Sequence, residues 1–151
     1  MSFMKNKLNL LVLMSLLILS CNSNLFQSVD DIWNGRVYTI PELFDNEQAE
    51  DGESYLVEGY IYEYNYSIEY EDFFLFPEQI YNRNKTYSMI DVTVVNHIDS
   101  IFSKIIEAFE NTDEHWIKVT IRAKAKEVTI YGNGWSDDIF VLEADALKVD
   151  D

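Results

Sequence analysis

The chain predicts a mainly β, α+β domain: a small five-stranded barrel with one helix between its third and fourth strands. Three observations carry that expectation. Strict apolar/polar alternation, the period of a half-buried strand, recurs at residues 55–66, 87–95 and 116–125. One stretch, from Ile98 to Phe109, repeats instead with helical spacing. With 2 Pro, 5 Gly and no repeats or low-complexity tract, nothing in the 151 residues marks a second folded domain.

The elements follow in order. Thr39-Ile40-Pro41-Glu42 reads as a helix start, with Thr39 able to cap, Pro41 suited to the first turn and Glu42 three residues after the cap. The helix would be short and end in the acidic stretch from Asp45 to Glu53. Tyr55 to Tyr66 is the first long strand, with Val57, Gly59 and Ile61 on one face and Glu58, Tyr60, Tyr62, Tyr64 and Tyr66 on the other. Gly59 inside it predicts a bulge or tight bend. Phe73 to Phe76 is a second strand, stopped at Pro77, and Tyr87 to Val95 a third.

Ile98, Ile101, Phe102, Ile105, Ile106 and Phe109 form one continuous helical stripe, with Asn96 as its N-cap. From Trp116, the residues Ile117, Val119, Ile121, Ala123 and Ala125 point inward and Lys118, Thr120, Arg122, Lys124 and Lys126 outward. The parity then flips, since Val128 and Ile130 are even-numbered, which predicts a bulge or corner near Lys126-Glu127. Gly132-Asn133-Gly134 is a turn signal, and Ile139 to Val149 the last strand.

Ahead of the domain stands a different kind of segment. Met1 to Lys7 carries Lys5 and Lys7 and no acid, Leu8 to Leu19 is apolar except for Asn9 and Ser15, and Ile18-Leu19-Ser20-Cys21 follows. Twelve apolar residues are too few for a spanning helix, which needs roughly 20. The run also lacks the polar positions of an amphipathic one. The order resembles a bacterial lipoprotein signal with its lipobox. The resemblance implies a signal peptide at 1–20, removal of that leader, a lipid on Cys21, a tether at 21–30 and a domain at 31–151. It places the protein in the bacterial cell envelope, attached to the membrane through its N-terminal lipid. More than one acyl chain gives stable attachment. Asn22, standing where an Asp would retain some lipoproteins at the inner membrane, favours the outer one.

The domain carries a second resemblance. Tyr38-Thr39-Ile40-Pro41-Glu42-Leu43, then Tyr55-Leu56-Val57-Glu58-Gly59-Tyr60-Ile61, is similar to the start of OB-fold domains of the nucleic-acid-binding superfamily. Trp116-Ile117-Lys118-Val119 and Leu142 to Val149 resemble their last two strands. The resemblance covers most of residues 37–149 and implies the five-stranded OB-fold barrel. Another small α+β sheet on the same helix is the competing architecture.

Charge and chemistry then bound the function. Loss of Lys5 and Lys7 with the leader would take the formal net charge from −16 to −18. Phosphate backbones are bound chiefly through Lys and Arg, so a field this negative disfavours nucleic acid and favours a basic protein, a cation or a neutral ligand. The basic stripe Lys118, Arg122, Lys124 and Lys126 is expected to pair with carboxylates on neighbouring strands, such as Glu143 or Asp145. The acidic clusters lack the ligand spacing of a calcium loop, His97 and His115 stand alone, and no HExxH or glycine-rich phosphate loop occurs. No metal, cofactor or catalytic residue is therefore implied.

The most unusual segment holds ten aromatics in the 28 residues 60–87. Tyr60, Tyr62, Tyr64 and Tyr66, at spacing 2, are the candidate ligand-binding residues, on one strand face where rings could stack on sugars or bases or contact a protein. The same rings could merely cover the barrel. The expectation is a lipid-anchored, non-catalytic binding module for a protein partner, perhaps a basic one. The alternative is carbohydrate or small-ligand binding through the tyrosine face.

Overall fold

The computed structural model describes residues 32–79 and 89–150. The Cys21 anchor, the leader and tether, and Tyr81 and Tyr87 lie outside them. The sheet lies within the compact unit Gly35–Asp151. Its strands are β1 (Val37–Thr39), β2 (Ser54–Tyr62), β3 (Tyr66–Ser67), β4 (Asp72–Leu75), β5 (Ile90–Val94), β6 (Trp116–Gly132) and β7 (Trp135–Val149). A π-helical turn, Pro41–Asp45, follows β1, and the helix α1 (Ile98–Glu110) lies between β5 and β6.

The fold is mainly β with one α-helix, and the sheet has seven strands in the order β1-β2-β6-β7-β5-β4-β3. The expected five strands, with the helix after the third, are corrected: among the described residues there are seven, and the helix follows the fifth. Two short segments account for the difference. Val37–Thr39 pairs in parallel with Leu56 to Glu58. The chain turns after Tyr62, where Asn65 N–H donates to the Tyr62 carbonyl at 2.9 Å, and re-enters the sheet as Tyr66–Ser67 against Asp72–Phe73. The expected single strand 55–66 is therefore broken at Tyr62.

The sheet also closes on itself. Tyr60 N–H donates to the Phe76 carbonyl at 2.8 Å and Phe76 N–H to the Tyr60 carbonyl at 2.9 Å, joining β2 to the end of β4. Gly59 serves this closure rather than a bulge, since β2 pairs with β6 in unbroken register from Ser54↔Lys124 to Tyr62↔Trp116. A Cβ on Gly59 would lie 2.6 Å from Leu75 Cγ and 2.8 Å from the Phe76 carbonyl oxygen. Only the absence of a side chain lets the two strands approach this closely.

Inside, Val57, Ile61, Phe73, Leu75, Val92, Ile121 and Leu142 form a continuous buried core. Ile40 and Leu43 of the π-helical turn join it. That turn is held by the expected reciprocal bonds: Thr39 N–H donates to Glu42 Oε2 at 2.9 Å and Glu42 N–H to Thr39 Oγ1 at 3.3 Å. Helix α1 buries Ile101, Phe102 and Ile105, each contributing about 1.5–3 kcal/mol of transfer free energy. Its N-cap is His97, in a left-handed conformation with φ 55°, and not Asn96.

Two irregularities lie elsewhere than the alternation predicts. The β6–β7 ladder shifts between Arg122 and Ala123, where Ala146 and then Ala144 are the partners, so Asp145 is the extra residue and β7 the bulged strand. Past Lys126 the ladder is regular out to the Gly132↔Trp135 pair. The parity change there has a simpler cause: the hairpin runs beyond the strands it pairs with in the barrel, and inward no longer has a meaning. Ile130, Tyr131 and Trp135 are accordingly exposed.

Gly59→Ala is expected to lower the free energy of unfolding by about 1–3 kcal/mol, the usual cost of forcing a methyl group into close-packed structure. Urea titration measures it, and an unchanged midpoint would show that β2 and β4 can separate without loss.

Candidate aromatic site

The four tyrosines do not share one face. Tyr60 and Tyr62 lie on β2, directly opposite Lys118 and Trp116 of β6. Tyr64 stands on the turn after β2 and is 77 % exposed. Tyr66 points the other way: its ring stacks on Phe109 at 6.0 Å with planes 8° apart and lies 6.4 Å from Phe102, so it packs against α1. The turn that breaks the strand after Tyr62 causes this, because it cancels the alternation that would align Tyr66 with Tyr60 and Tyr62.

What the fold assembles is a different group. The Tyr62 ring lies 4.8 Å from Trp116, 5.5 Å from Tyr64 and 6.5 Å from His115. Beneath them Phe76, buried by the closure, meets Trp116 edge-on at 5.3 Å. Ring pairs at these separations attract through their quadrupoles as well as through burial. Trp116 and His115 are absent from the sequence-based candidates. Their signal was the position of Trp116 at the head of a strand, but only the β2–β6 register shows what it faces.

Beside the platform runs a groove of about 500 Å³, lined by Tyr60, Trp116, Lys118, Asn111, Glu114 and Asp150 among others. It lies between the outer face of β2 and β6 and the C-terminal end of α1. Two of its charges, Lys118 and Asp150, are already engaged. Lys118 pairs with Glu58 at 2.9 Å, and this bond and the neighbouring carboxylates hold its ammonium above the ordinary lysine range. Asp150 Oδ2 accepts from Thr120 Oγ1 at 2.9 Å.

Two more members of the basic stripe are paired in the same way. Arg122 Nε and Nη2 donate to the two oxygens of Asp145 at 2.7 and 2.8 Å, a bidentate pair set up by the β7 bulge. Lys126 meets Glu143 at 2.7 Å. Lys124 makes no ion pair among the described residues. A cavity of about 250 Å³ over Arg122 and Lys124 is likewise bordered by Glu143 and Asp145. Among the described residues no cluster of His, Cys, Asp or Glu could hold a metal ion, and no helix is long and apolar enough to cross a membrane.

No family model and no curated protein matches the sequence. Two solved structures resemble the fold, both crystal structures of the mitochondrial single-stranded DNA binding protein Rim1 of S. cerevisiae. The first is 14 % identical with a TM-score of 0.42, over 66 % of this chain and 95 % of that one. The second is 16 % identical with a TM-score of 0.38, over 66 % and 96 %. Both neighbours are named as single-stranded DNA binding proteins, which runs against two expectations: that the partner is a protein, and that nucleic acid is disfavoured.

Removing the Asp145 carboxylate leaves the Arg122 guanidinium two-thirds covered and without its partner. Asp145→Ala is expected to cost about 1–2 kcal/mol in urea unfolding. A cost below a few tenths would place the pair with solvent-screened surface bridges.

Proposed function

We propose that the domain binds single-stranded nucleic acid by stacking bases on Tyr62, Tyr64 and Trp116. The observation that carries the proposal is the platform itself: three rings from β2, its turn and β6, within 5.5 Å of a common centre at Tyr62 and open to solvent at Tyr64. Every base has a π-face, so such a surface tolerates any sequence and contributes about 1–3 kcal/mol per base. The finer reading of the fold belongs with this proposal. Strands β2, β4, β5, β7 and β6 are the ring of an OB barrel, with β1 and β3 as additions. OB barrels bind oligonucleotides on outer strands and adjoining loops, an analogy of fold that supports the ligand class.

Charge determines how such binding would work. Lys118, Arg122 and Lys126 are held by carboxylates and offer no ready phosphate contacts. With a formal net charge of −16, the protein repels a polyanion at long range, and salt screens that repulsion. Binding would rest on stacking and carry little of the counterion release that dominates basic proteins.

A fluorescently labelled thymidine oligonucleotide tests the reading by anisotropy. The affinity is expected to rise between about 20 and 200 mM monovalent salt as screening grows. Tyr64→Ala, at a position too exposed to affect folding, is expected to weaken binding by about 5-fold to 100-fold. Absence of binding at any salt, or an affinity that collapses with salt, would defeat the reading.

Location is a separate proposal, supported only by the leader residues and Cys21. If the chain is exported and lipid-bearing, a labelled fatty acid fed to expressing bacteria is incorporated into the full chain and Cys21→Ser abolishes the label. Equal labelling of both would remove the anchor.

A further inference from the structure

We infer that the open edge of the β6–β7 hairpin, at residues 128–132, pairs with the same edge of a second copy of this chain. The inference is independent of the stacking role proposed above. The barrel covers that side of β6 only as far as Glu127. Up to Lys124 its partner there is β2. Ala125 N–H then donates to the Glu53 carbonyl at 2.9 Å, and the Ala125 carbonyl accepts from Gly52 N–H at 2.8 Å. Glu127 N–H donates to Asp51 Oδ1 at 2.9 Å. Backbone groups alternate in direction along a strand, so Thr129 and Tyr131 are the next to face this side. Among the described residues their backbone groups have no partner there. A row of this kind is a template for a further strand.

Proteins ordinarily keep such edges apart with charge, proline or a bulge. Val128-Thr129-Ile130-Tyr131-Gly132 has none of the three. Val128, Thr129 and Ile130 are β-branched and Tyr131 is aromatic, the types that favour pairing. The other strand of the hairpin differs, with Asp137 and Asp138 opposite Ile130 and Thr129. Like charges oppose the meeting of two β7 edges. Two β6 edges joined about a two-fold axis use each other up, so assembly closes at a dimer.

The capped start of the edge selects the register. Asp51 already holds the Glu127 N–H, so Glu127 takes no part. Thr129 then stands opposite Tyr131 of the second copy, Ile130 meets Ile130 on the axis, and Val128 faces Gly132. The side chains fit this arrangement. Gly132 has no side chain, and a Cβ there would run into the Trp135 indole that lies across it. That indole borders the place taken by Val128 of the second copy, on the face where the two Ile130 side chains meet. Ile130 and Trp135 are exposed in the single chain, and pairing covers both. The apolar residues that the alternation turns outward past Lys126 thereby acquire a partner.

The dimer is weak. Its surface falls well short of the roughly 1,600 Å² of a standard interface. Two bodies of formal net charge −16 repel each other, and salt screens that repulsion.

The test uses the full chain carrying Cys21→Ser, which removes the native thiol. Ile130→Cys puts two thiols across the axis, where Cα atoms lie about 4.5 Å apart, within disulfide range. Under oxidised glutathione it is expected to form a covalent dimer about 10-fold faster than Thr129→Cys, whose thiols are two residues out of register. Equal rates, or a faster Thr129→Cys, overturn the inference. Sedimentation velocity supplies the second measurement. A monomer–dimer equilibrium is expected, with an association constant that rises about 3-fold to 10-fold between roughly 20 and 300 mM salt. Thr129→Pro removes an open-edge N–H and spares the ladder with β7, and Ile130→Lys brings two charges together at the axis. Both are expected to stay monomeric. A wild type that stays monomeric, association that both variants retain, or species larger than a dimer overturns the inference. Weakened oligonucleotide binding by Thr129→Pro with no dimer in the wild type assigns the edge to nucleic acid and overturns it equally.

Discussion

The structure depends on one pair of backbone hydrogen bonds, those between Tyr60 and Phe76. They turn an open sheet into a closed one. Without them the second half of β2 and the end of β4 would present unpaired backbone groups at a sheet edge, which is costly when buried and a site of misassembly when exposed. The closure requires a residue without a side chain at Gly59, because Leu75 and the Phe76 carbonyl occupy the space a Cβ would take. It also carries Phe76 into the interior, where its ring becomes the floor beneath Trp116. The same contact that completes the core thus seats the aromatic platform on the outer face.

Electrostatics divides the domain's surface by range. At long range the acidic excess sets a negative field, which argues against binding that depends on phosphate attraction. At short range the few cations are distributed so that each part of the barrel wall carries its own compensation: Lys118 with Glu58, Arg122 with Asp145, Lys126 with Glu143. These pairs brace neighbouring strands, and by doing so they remove the cations from recognition. Stacking on neutral rings is the interaction this field leaves least impaired, since it acts at contact. The expectation of a protein partner drew on the same charge, and the single-stranded DNA binding neighbours run against it.

Much of the architecture was legible in the chain. Alternation marked where β2, β5, β6 and β7 run, the stripe from Ile98 to Phe109 marked α1, and Thr39 with Glu42 marked the bonds that start the first turn. The site was legible only as a region. Tyr60, Tyr62 and Tyr64 were singled out for their spacing, Tyr66 was included by an alternation that the turn after Tyr62 interrupts, and Trp116 and His115 were not included. A bulge or corner was expected in β6 near Lys126, where the parity changes because the hairpin leaves the barrel, and the β7 bulge at Asp145, where an extra residue faces Arg122, was not foreseen.

The sequence by itself marked most of the strand and helix segments and the inward face of the core strands, and it singled out Gly59 as a bulge or tight bend. Those properties follow from local periodicity and from the size of single side chains. Tertiary structure decided the count of strands, the closure, and every neighbour across a strand pair. The physical reason lies in the period of the strand. A slip of two residues leaves every inward residue facing inward, so alternation is blind to it, yet it would move Trp116 away from Tyr62. Only long-range pairing, fixed here by closure at Tyr60 and by the core that closure seals, selects the register that brings them together.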